Sequence, residues 1–595
     1  MYNKLELLRN QMKLHGIDIY IVPMVDQHNN EYVPIHWKRI AWISGFTGSA
    51  GELVVTKDQA LLWTDGRYVL QAETELDATL FTLMRSDNTN GHTLYEWLKL
   101  NATNKVVSVD PRLVTIYQFE LLNNTLLTVN SGLTLENNNL IDIVRRDIND
   151  FVVPKFNSLY QLDIRYTGMN IETKLHVIQK YLNDMKCDYF VSNILDVIAW
   201  IYNIRGSDIL YNPLPLAYTI ISQDVSFLFV NDVEIDQKFI DTCKRLKIQL
   251  LKYDEFDIKL SSLRGSFAVD FKATNMWVHN LINVQCQIIN NDLDLLLLKS
   301  VKNNTEISGA YSAHLKDGVA VIKFFTWLEH NWKHGLTELT CVDKILQFRQ
   351  QQDNFVGNSF NTISGFGSNS AVIHYAVNEK TNKIVDNTNI FLLDSGGQYL
   401  EGTTDITRTI HLGTPSKEQK YFYTLVLKGH LALTRLKFPS GTKGENIDII
   451  ARYHLWQIYQ NYHHGTGHGV GSFLCVHEGP QRISHGSSGI PILPGMIISN
   501  EPGYYIDNEF GIRIENLIVV KGDSSCDAKN SKYGKFYCFD TLTMVPYCKK
   551  LIDVTLLTEE EKQQIFNYYN TIKINMHNKL TAIEFEWLEN EINII

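Results

Sequence analysis

The sequence predicts a mixed architecture of α/β and α+β type: two N-terminal α/β domains followed by a longer C-terminal domain. Three observations carry this. A length of 595 residues calls for three or four domains. Residues 1–160 and 161–299 each alternate short β-rich runs with helical patterns. From residue 300 onward, nearly all the chemically suggestive histidines and carboxylates gather near strand ends and in glycine-dense loops.

In the first stretch, residues 1–16 alternate leucine with Lys, Glu, Arg and Gln at helical spacing, an amphipathic first helix without the apolar core of a secretory signal. Runs at 17–22, 52–55 and 60–63 read as strands, broken by Gly and Asp turns such as Ser44-Gly45-Phe46-Thr47-Gly48. The second stretch repeats the style, with a helix at 172–185, a strand at 225–230 and a turn at Arg205-Gly206-Ser207-Asp208. No sequence repeat links the two stretches, although equal length and similar alternation permit a duplicated fold.

The third stretch opens with a helix in which Ile307, Ala310, Tyr311, Leu315, Val319, Ile322 and Phe325 recur every three or four residues, capped by Asn304 or Thr305. A second helix starts at the capping box Ser416-Lys417-Glu418-Gln419 and runs toward Lys437, before Pro439 and Gly441. Strands lie between and after these helices.

Composition narrows the function. Lys+Arg 55 against Asp+Glu 65 gives a net charge of −10, with 44% hydrophobic and 20% charged residues. That is an ordinary globular balance, and it lacks the basic footprint of a nucleic-acid binder. The longest apolar runs are far below the roughly 18 residues that cross a bilayer, so no membrane partner is expected. Eight cysteines without a Cys-x-x-Cys pair favour free thiols and a reducing, cytoplasmic location.

Ile390-Phe391-Leu392-Leu393-Asp394 is an apolar strand ending in a carboxylate, and Gly402 to Ile410 alternates with period two after a short turn, so the pair reads as a hairpin. Asp394 and Asp405 are thereby brought to one face. His463-His464-Gly465-Thr466-Gly467-His468-Gly469-Val470-Gly471 presents imidazoles on a loop whose glycines let backbone approach a ligand closely. Glu501 stands at a strand end before Pro502-Gly503. Gly511-Ile512-Arg513-Ile514-Glu515-Asn516 reads as one strand with Arg513 and Glu515 on the same face. Asp394, Asp405, His468, Glu501 and Glu515 form an oxygen-rich set with one nitrogen donor. Its four carboxylates carry a formal −4, which two divalent cations neutralise. The donor set suits Mn²⁺ first, with Zn²⁺, Co²⁺ or Fe²⁺ as alternatives, and it is that of a hydrolytic site.

These motifs, together with Ala371-Val372-Ile373-His374-Tyr375, Val476-His477-Glu478-Gly479-Pro480 and Asn500-Glu501-Pro502-Gly503-Tyr504-Tyr505, resemble the aminopeptidase P (Xaa-Pro aminopeptidase) branch of the pita-bread metallopeptidases. The resemblance covers essentially the whole chain. Residues 26–32, 39–51 and 62–68 are similar to the first domain of the three-domain cytosolic type, residues 198–213 to its second, and Phe539 to Tyr547 to the start of a C-terminal cap spanning about 540–595. The resemblance implies two α/β domains and a pita-bread domain at 300–595, with Asp394 chelating one metal, Asp405 and Glu515 bridging both, and His468 and Glu501 completing the ligand set of the second metal. It further implies that His374 steadies the substrate or the tetrahedral intermediate, that His464 and His477 handle protons and substrate, and that Arg513 orients a ligand. Water bridging the two metals would attack peptides with proline in second place, and the chain would pair as a homodimer.

His463, His411 and His454 read as ordinary histidines, Arg408 as a structural ion-pair partner and Cys475 as a small buried residue. The junction at 144–156 lacks the Trp and repeated prolines usual in the family, and 523–535 reads as a polar insertion before the cap. The nearest rival is prolidase, a dipeptidase of the same fold that lacks a complete second α/β domain. A metal-free pseudo-peptidase is a rival of another class, and it would have lost ligands that are all present here. A second location such as a digestive vacuole stays open, as do the resident metal and the preferred first residue.

Overall fold

Branched and aromatic residues at Ile19, Tyr20, Ile21 and Val22 favour extended backbone, and this segment becomes an inner strand of the first sheet. The computed structural model describes residues 3–85, 92–231, 234–291, 295–486, 488–522, 532 and 534–593. Two units result, one of Met1–Leu162 with Met169–Asp294 and one of Asp163–Gly168 with Leu295–Ile595.

The N-terminal unit holds two sheets. The first consists of β1 (Ile19–Pro23), β2 (Glu52–Thr56), β3 (Ala60–Thr64), β4 (Thr82–Arg85), β5 (Val106–Val109) and β6 (Gly132–Leu135), in the order β4-β3-β2-β1-β5-β6. The second consists of β7 (Tyr189–Ser192), β8 (Tyr218–Ile221), β9 (Ser226–Val230), β10 (Ile248–Lys252), β11 (Ser266–Val269) and β12 (Gln287–Asn290), in the order β10-β9-β8-β7-β11-β12. Strand for strand the two orders are the same. The directions agree too: the two hairpin pairs are antiparallel and the three remaining pairs parallel in each sheet. The fold is therefore duplicated although the sequence shows no repeat, because topology demands only the alternation pattern and not particular side chains.

The two copies meet through equivalent positions. Thr115 and Asn275 pair as an antiparallel bridge, and each caps the helix that follows it, Ile116–Leu127 and Met276–Leu281. Reciprocal backbone bonds run from Ile116 N–H to the Thr274 carbonyl (3.0 Å) and from Met276 N–H to the Val114 carbonyl (2.9 Å). One apolar cluster takes members from both sheets, among them Ile19, Val54 and Val107 from the first and Val191, Phe229 and Phe267 from the second. The first helix, Lys4–Leu14, buries Leu5, Leu8 and Met12 as its amphipathic spacing requires.

In the C-terminal unit, α1 (Asn304–Asn331) carries the periodic apolar residues, but its cap is Asn303 rather than Asn304 or Thr305. The Asn303 side chain accepts from Thr305 and Glu306 N–H while Glu306 returns a bond to the Asn303 N–H, an exchange that needs the acidic residue three positions on. The predicted hairpin is present as β13 (Ile390–Ser395) against β14 (Ile406–His411), with Asp394 opposite Thr407. Helix α2 (Lys417–Thr434) starts at the Ser416 capping box. Further on come β15 (Ile497–Asn500), β16 (Gly503–Ile506), β17 (Phe510–Arg513) and β18 (Asn516–Gly522), with β15 paired to β18 and β16 to β17. The expected single strand over 511–516 is thus interrupted at Ile514 and Glu515. Ile514 N–H donates to the Pro502 carbonyl and Glu515 N–H to the Thr407 carbonyl, so both leave the ladder. Two C-terminal helices, Glu559–Met576 and Ala582–Ile592, contribute Ile565, Ile572, Met576 and Leu588 to the core beneath. Residues 523–531, most of the expected polar insertion, lie outside the described residues.

Candidate metal centre

Five side chains converge at the ends of β13 and β15, just before β14, in the β17–β18 gap and in the histidine loop. Ligand atoms of Asp394, Asp405 and Glu515 lie within 4.8 Å of one another, and so do those of His468, Glu501 and Glu515. A third such group, Asp405, His468 and His477, adds an imidazole that the sequence reading assigned to proton handling. Among the described residues, His374 and His464 join none of these groups.

Each ligand candidate is aimed by a neighbour. Asp394 Oδ2 accepts from Arg513 Nη2 at 2.7 Å, while its Oδ1 is buried with no hydrogen-bond partner. Glu515 Oε2 accepts from the Thr407 hydroxyl at 2.8 Å, and Glu501 Oε1 from the Ser499 hydroxyl at 3.1 Å. His468 Nδ1 faces the carbonyl of Gly469 at 3.0 Å and must donate to it. That orients the ring and turns Nε2 toward Asp405 (3.4 Å) and Glu501 (3.5 Å).

Charge is the second observation. Burial, followed by the charges of Asp405 and Glu501, pushes the Asp394 carboxyl up to about 7 against the opposing Arg513. Burial together with the neighbouring carboxylates drives Glu515 well above the carboxylate range, and burial likewise raises Glu501. Burial opposes ionisation of His468, but the Asp405 and Glu501 carboxylates outweigh it and raise the ring to about 9. A buried cluster that resists its own negative charge, with an unpartnered Asp394 oxygen and an oriented imidazole, fits divalent cations.

Around this set Arg513 also donates to the Tyr505 hydroxyl at 2.8 Å, and Tyr505 contacts His464 Nε2 at 2.9 Å. His464 Nδ1 faces the Gly465 carbonyl at 2.8 Å. His374 is half-buried on the loop after Gly367–Ala371, a turn tied to β17 by the Gly511 N–H to Ser370 hydroxyl bond of 2.7 Å. The His477 ring meets that of His468 edge to face, with centroids 4.5 Å apart. Thr407 and Tyr505 carry parts of this geometry that sequence reasoning missed. Thr407 stood in the alternating segment and Tyr505 in a quoted motif, but nothing local to either shows its distant partner. Arg408 departs from expectation: fully buried, it donates to the carbonyls of Thr407, Glu515, Val545 and Pro546, so it braces backbone instead of pairing with a carboxylate.

Known proteins match the chain along its length. Residues 312–522 match the model of metallopeptidase family M24, and 535–595 match the C-terminal region of peptidase M24. Residues 4–145 and 153–306 each match a Creatinase/Prolidase N-terminal domain. The chain is similar to Xaa-Pro aminopeptidase 1 of Dictyostelium discoideum, at 39% identity over 99% of this chain and 96% of that protein. It is similar to aminopeptidase P2 of Arabidopsis thaliana at 38% identity, covering 93% of this chain and 82% of the relative. Its fold matches the X-prolyl aminopeptidase of Caenorhabditis elegans, described as a cytosolic enzyme with a di-nuclear active site, with a TM-score of 0.94, 32% identity and complete coverage of both chains. With two α/β domains, a pita-bread domain and relatives of this kind along its whole length, the chain belongs to the Xaa-Pro aminopeptidases of metallopeptidase family M24.

Proposed function

We propose that the protein is a metalloaminopeptidase that releases the first residue of peptides carrying proline in second place. The observation that carries this is that Asp394, Asp405 and Glu515 form one close group, and His468, Glu501 and Glu515 another that shares Glu515 with it, while one buried Asp394 oxygen has no hydrogen-bond partner. These five residues would hold two divalent ions, Mn²⁺ in the first place, with Asp405 and Glu515 shared between them. Bound ions supply Lewis acidity, which acidifies water and polarises the scissile carbonyl.

The remaining steps belong to the side chains. Arg513 locks Asp394 through Oδ2 and keeps Oδ1 turned inward. Departure of a proline nitrogen requires a proton on a secondary amine, and His477, edge-on to His468, is the imidazole we assign to deliver it. His374 donates to the oxygen that becomes negative during attack. His464, tied through Tyr505 to Arg513, keeps the substrate side of the site in register with Asp394.

The domain boundaries at 160/161 and 299/300, the cap from about 540, a homodimer and a cytoplasmic location belong to the same reading. The location is supported by the Caenorhabditis elegans relative, described as cytosolic. The decisive experiment pairs metal analysis of the purified protein with hydrolysis of a Xaa-Pro-Yaa tripeptide. Two ions per chain with cleavage at the first bond are expected; full activity at near-zero metal would reject the proposal. Light scattering giving 68.4 kDa at micromolar concentration would reject the homodimer.

A further inference from the structure

Glu478, the residue after His477, is fully buried between two lysines. Lys299 Nζ lies 2.6 Å from its Oε2 and Lys302 Nζ 2.6 Å from its Oε1, with all three side chains at most 1% exposed. Lys302 is itself anchored, since its Nζ donates to the Lys299 carbonyl (2.9 Å) and its N–H to the Gly495 carbonyl (3.0 Å). Burial opposes the charge on Glu478, but the two ammonium groups outweigh it and hold the carboxyl below its ordinary range.

The same residue is gripped by its backbone. Glu478 N–H donates at 2.8 Å to the carbonyl of Gly469, the neighbour of His468. Packing is so close that a Cβ at Gly469 would stand 2.1 Å from the Glu478 carbonyl oxygen, and one at Gly471 would stand 2.7 Å from its Oε2. Upstream, Phe473 is held in the left-handed region at φ 51°, and Leu474 is stapled by its N–H to the Thr403 hydroxyl (3.3 Å) and by its carbonyl to Gln398 Nε2 (2.7 Å). The peptide joining His477 to Glu478 is therefore fixed on both sides, and only side-chain torsions remain to the imidazole.

We infer that the Lys299–Glu478–Lys302 clamp is a positioning device for His477, setting its ring against His468 and so its proton-transfer geometry. The inference rests on the reading of His477 as the proton donor. Three buried charges of net +1 are more than cohesion needs, because one lysine would neutralise Glu478. The second lysine holds the second carboxylate oxygen and removes rotation about the carboxylate's axis.

The test is a double-mutant cycle on the metal-loaded full chain with a Xaa-Pro-Yaa tripeptide. Lys302→Met leaves a neutral Lys299–Glu478 pair, so folding and metal content should hold while kcat falls roughly 10- to 100-fold and KM stays within about twofold. In a His477→Ala background the same change should cost nothing further. Lys299→Met serves as an independent variant with the same expectation. Loss of kcat in His477→Ala with wild-type kcat in both lysine variants would overturn the clamp alone. Wild-type kcat in His477→Ala would overturn the proton-donor reading and the clamp with it. Equal losses from Lys302→Met with and without His477 would mean ordinary structural damage, and would also overturn the inference.

Discussion

Arg513, the last residue of β17, places Nη2 2.7 Å from Oδ2 of Asp394 near the end of β13, so one oxygen of the carboxylate is spent on a guanidinium and the other is left without a donor. A carboxylate divided in this way is held in one orientation, with Oδ1 turned inward. Its geometry comes from the protein rather than from whatever it binds.

Arg513→Met should free Asp394 to rotate and should loosen Tyr505 at the same time. Metal affinity is expected to fall roughly 10- to 100-fold, the usual effect of losing a partner that orients a ligand. Competition with a chelator measures it, and an unchanged dissociation constant would count against the orienting role.

Removing a shared ligand should be worse. If Asp405 and Glu515 are shared as proposed, Asp405→Asn or Glu515→Gln takes away a charge that both ions need, so bound metal and turnover should disappear together. Either variant at wild-type rate and metal content would contradict the shared assignment.

His477→Ala should keep its metal yet lose kcat by roughly 10²–10⁴, the range for a positioned proton-transfer group. His463→Ala should change little. Steady-state kinetics beside metal analysis separates the two, and equal losses would mean that the imidazole is wrongly assigned.

A pH effect on stability follows from the N-terminal unit. His28 is buried, with Nδ1 donating to the Asn193 carbonyl at 2.7 Å and Nε2 accepting from the Tyr253 hydroxyl at 2.5 Å. Burial lowers its pKa from 6.5 to about 4, with the Asn193 carbonyl opposing. The native ring is therefore neutral, and the unfolded chain binds the proton first. Stability from this group is complete above pH 6.5 and is lost as pH falls toward 4, at about 1.4 kcal/mol per pH unit. Denaturation curves across that window should show a slope shallower by about one proton in His28→Gln. An identical slope would exclude His28 as the source.

Substrate length separates the aminopeptidase from prolidase. A dipeptidase must bind the proline carboxylate, whereas an aminopeptidase leaves the groove open beyond it. Xaa-Pro-Yaa and longer peptides are expected to be cut at the first bond with higher kcat/KM than Xaa-Pro dipeptides, and Xaa-Ala-Yaa poorly, since a pocket shaped to the fixed φ of proline excludes other residues. A preference for the dipeptide would move the protein to the prolidase side.

The residues that meet at the site were legible because their chemistry is written in short segments: a strand ending in Asp394, a loop around His468, a Glu before Pro502. What the segments do not carry is their reason for being built so. The glycines at 469 and 471 looked like room for a ligand, yet the space they leave is filled by Glu478. That partner cannot be read locally, since Lys302 and Glu478 stand 176 positions apart. The break at Ile514 and Glu515 was likewise invisible, because period-two alternation persists through it while the hydrogen bonds go to Pro502 and Thr407. Register and duplication were hidden for a related reason: pairing depends on backbone groups that every residue shares.

The Thr115–Asn275 bridge bears on how the N-terminal half can be cut. Because each copy of the duplicated sheet covers apolar surface that the other would otherwise expose, the two are joint owners of one interior. A nick near residue 155 would leave them noncovalently associated, and neither could be expressed alone without uncovering the shared cluster that contains Ile116 and Met276. For protein engineering, the portable module at this end of the chain is the pair, and a boundary drawn between its copies by sequence is not a place to divide the gene.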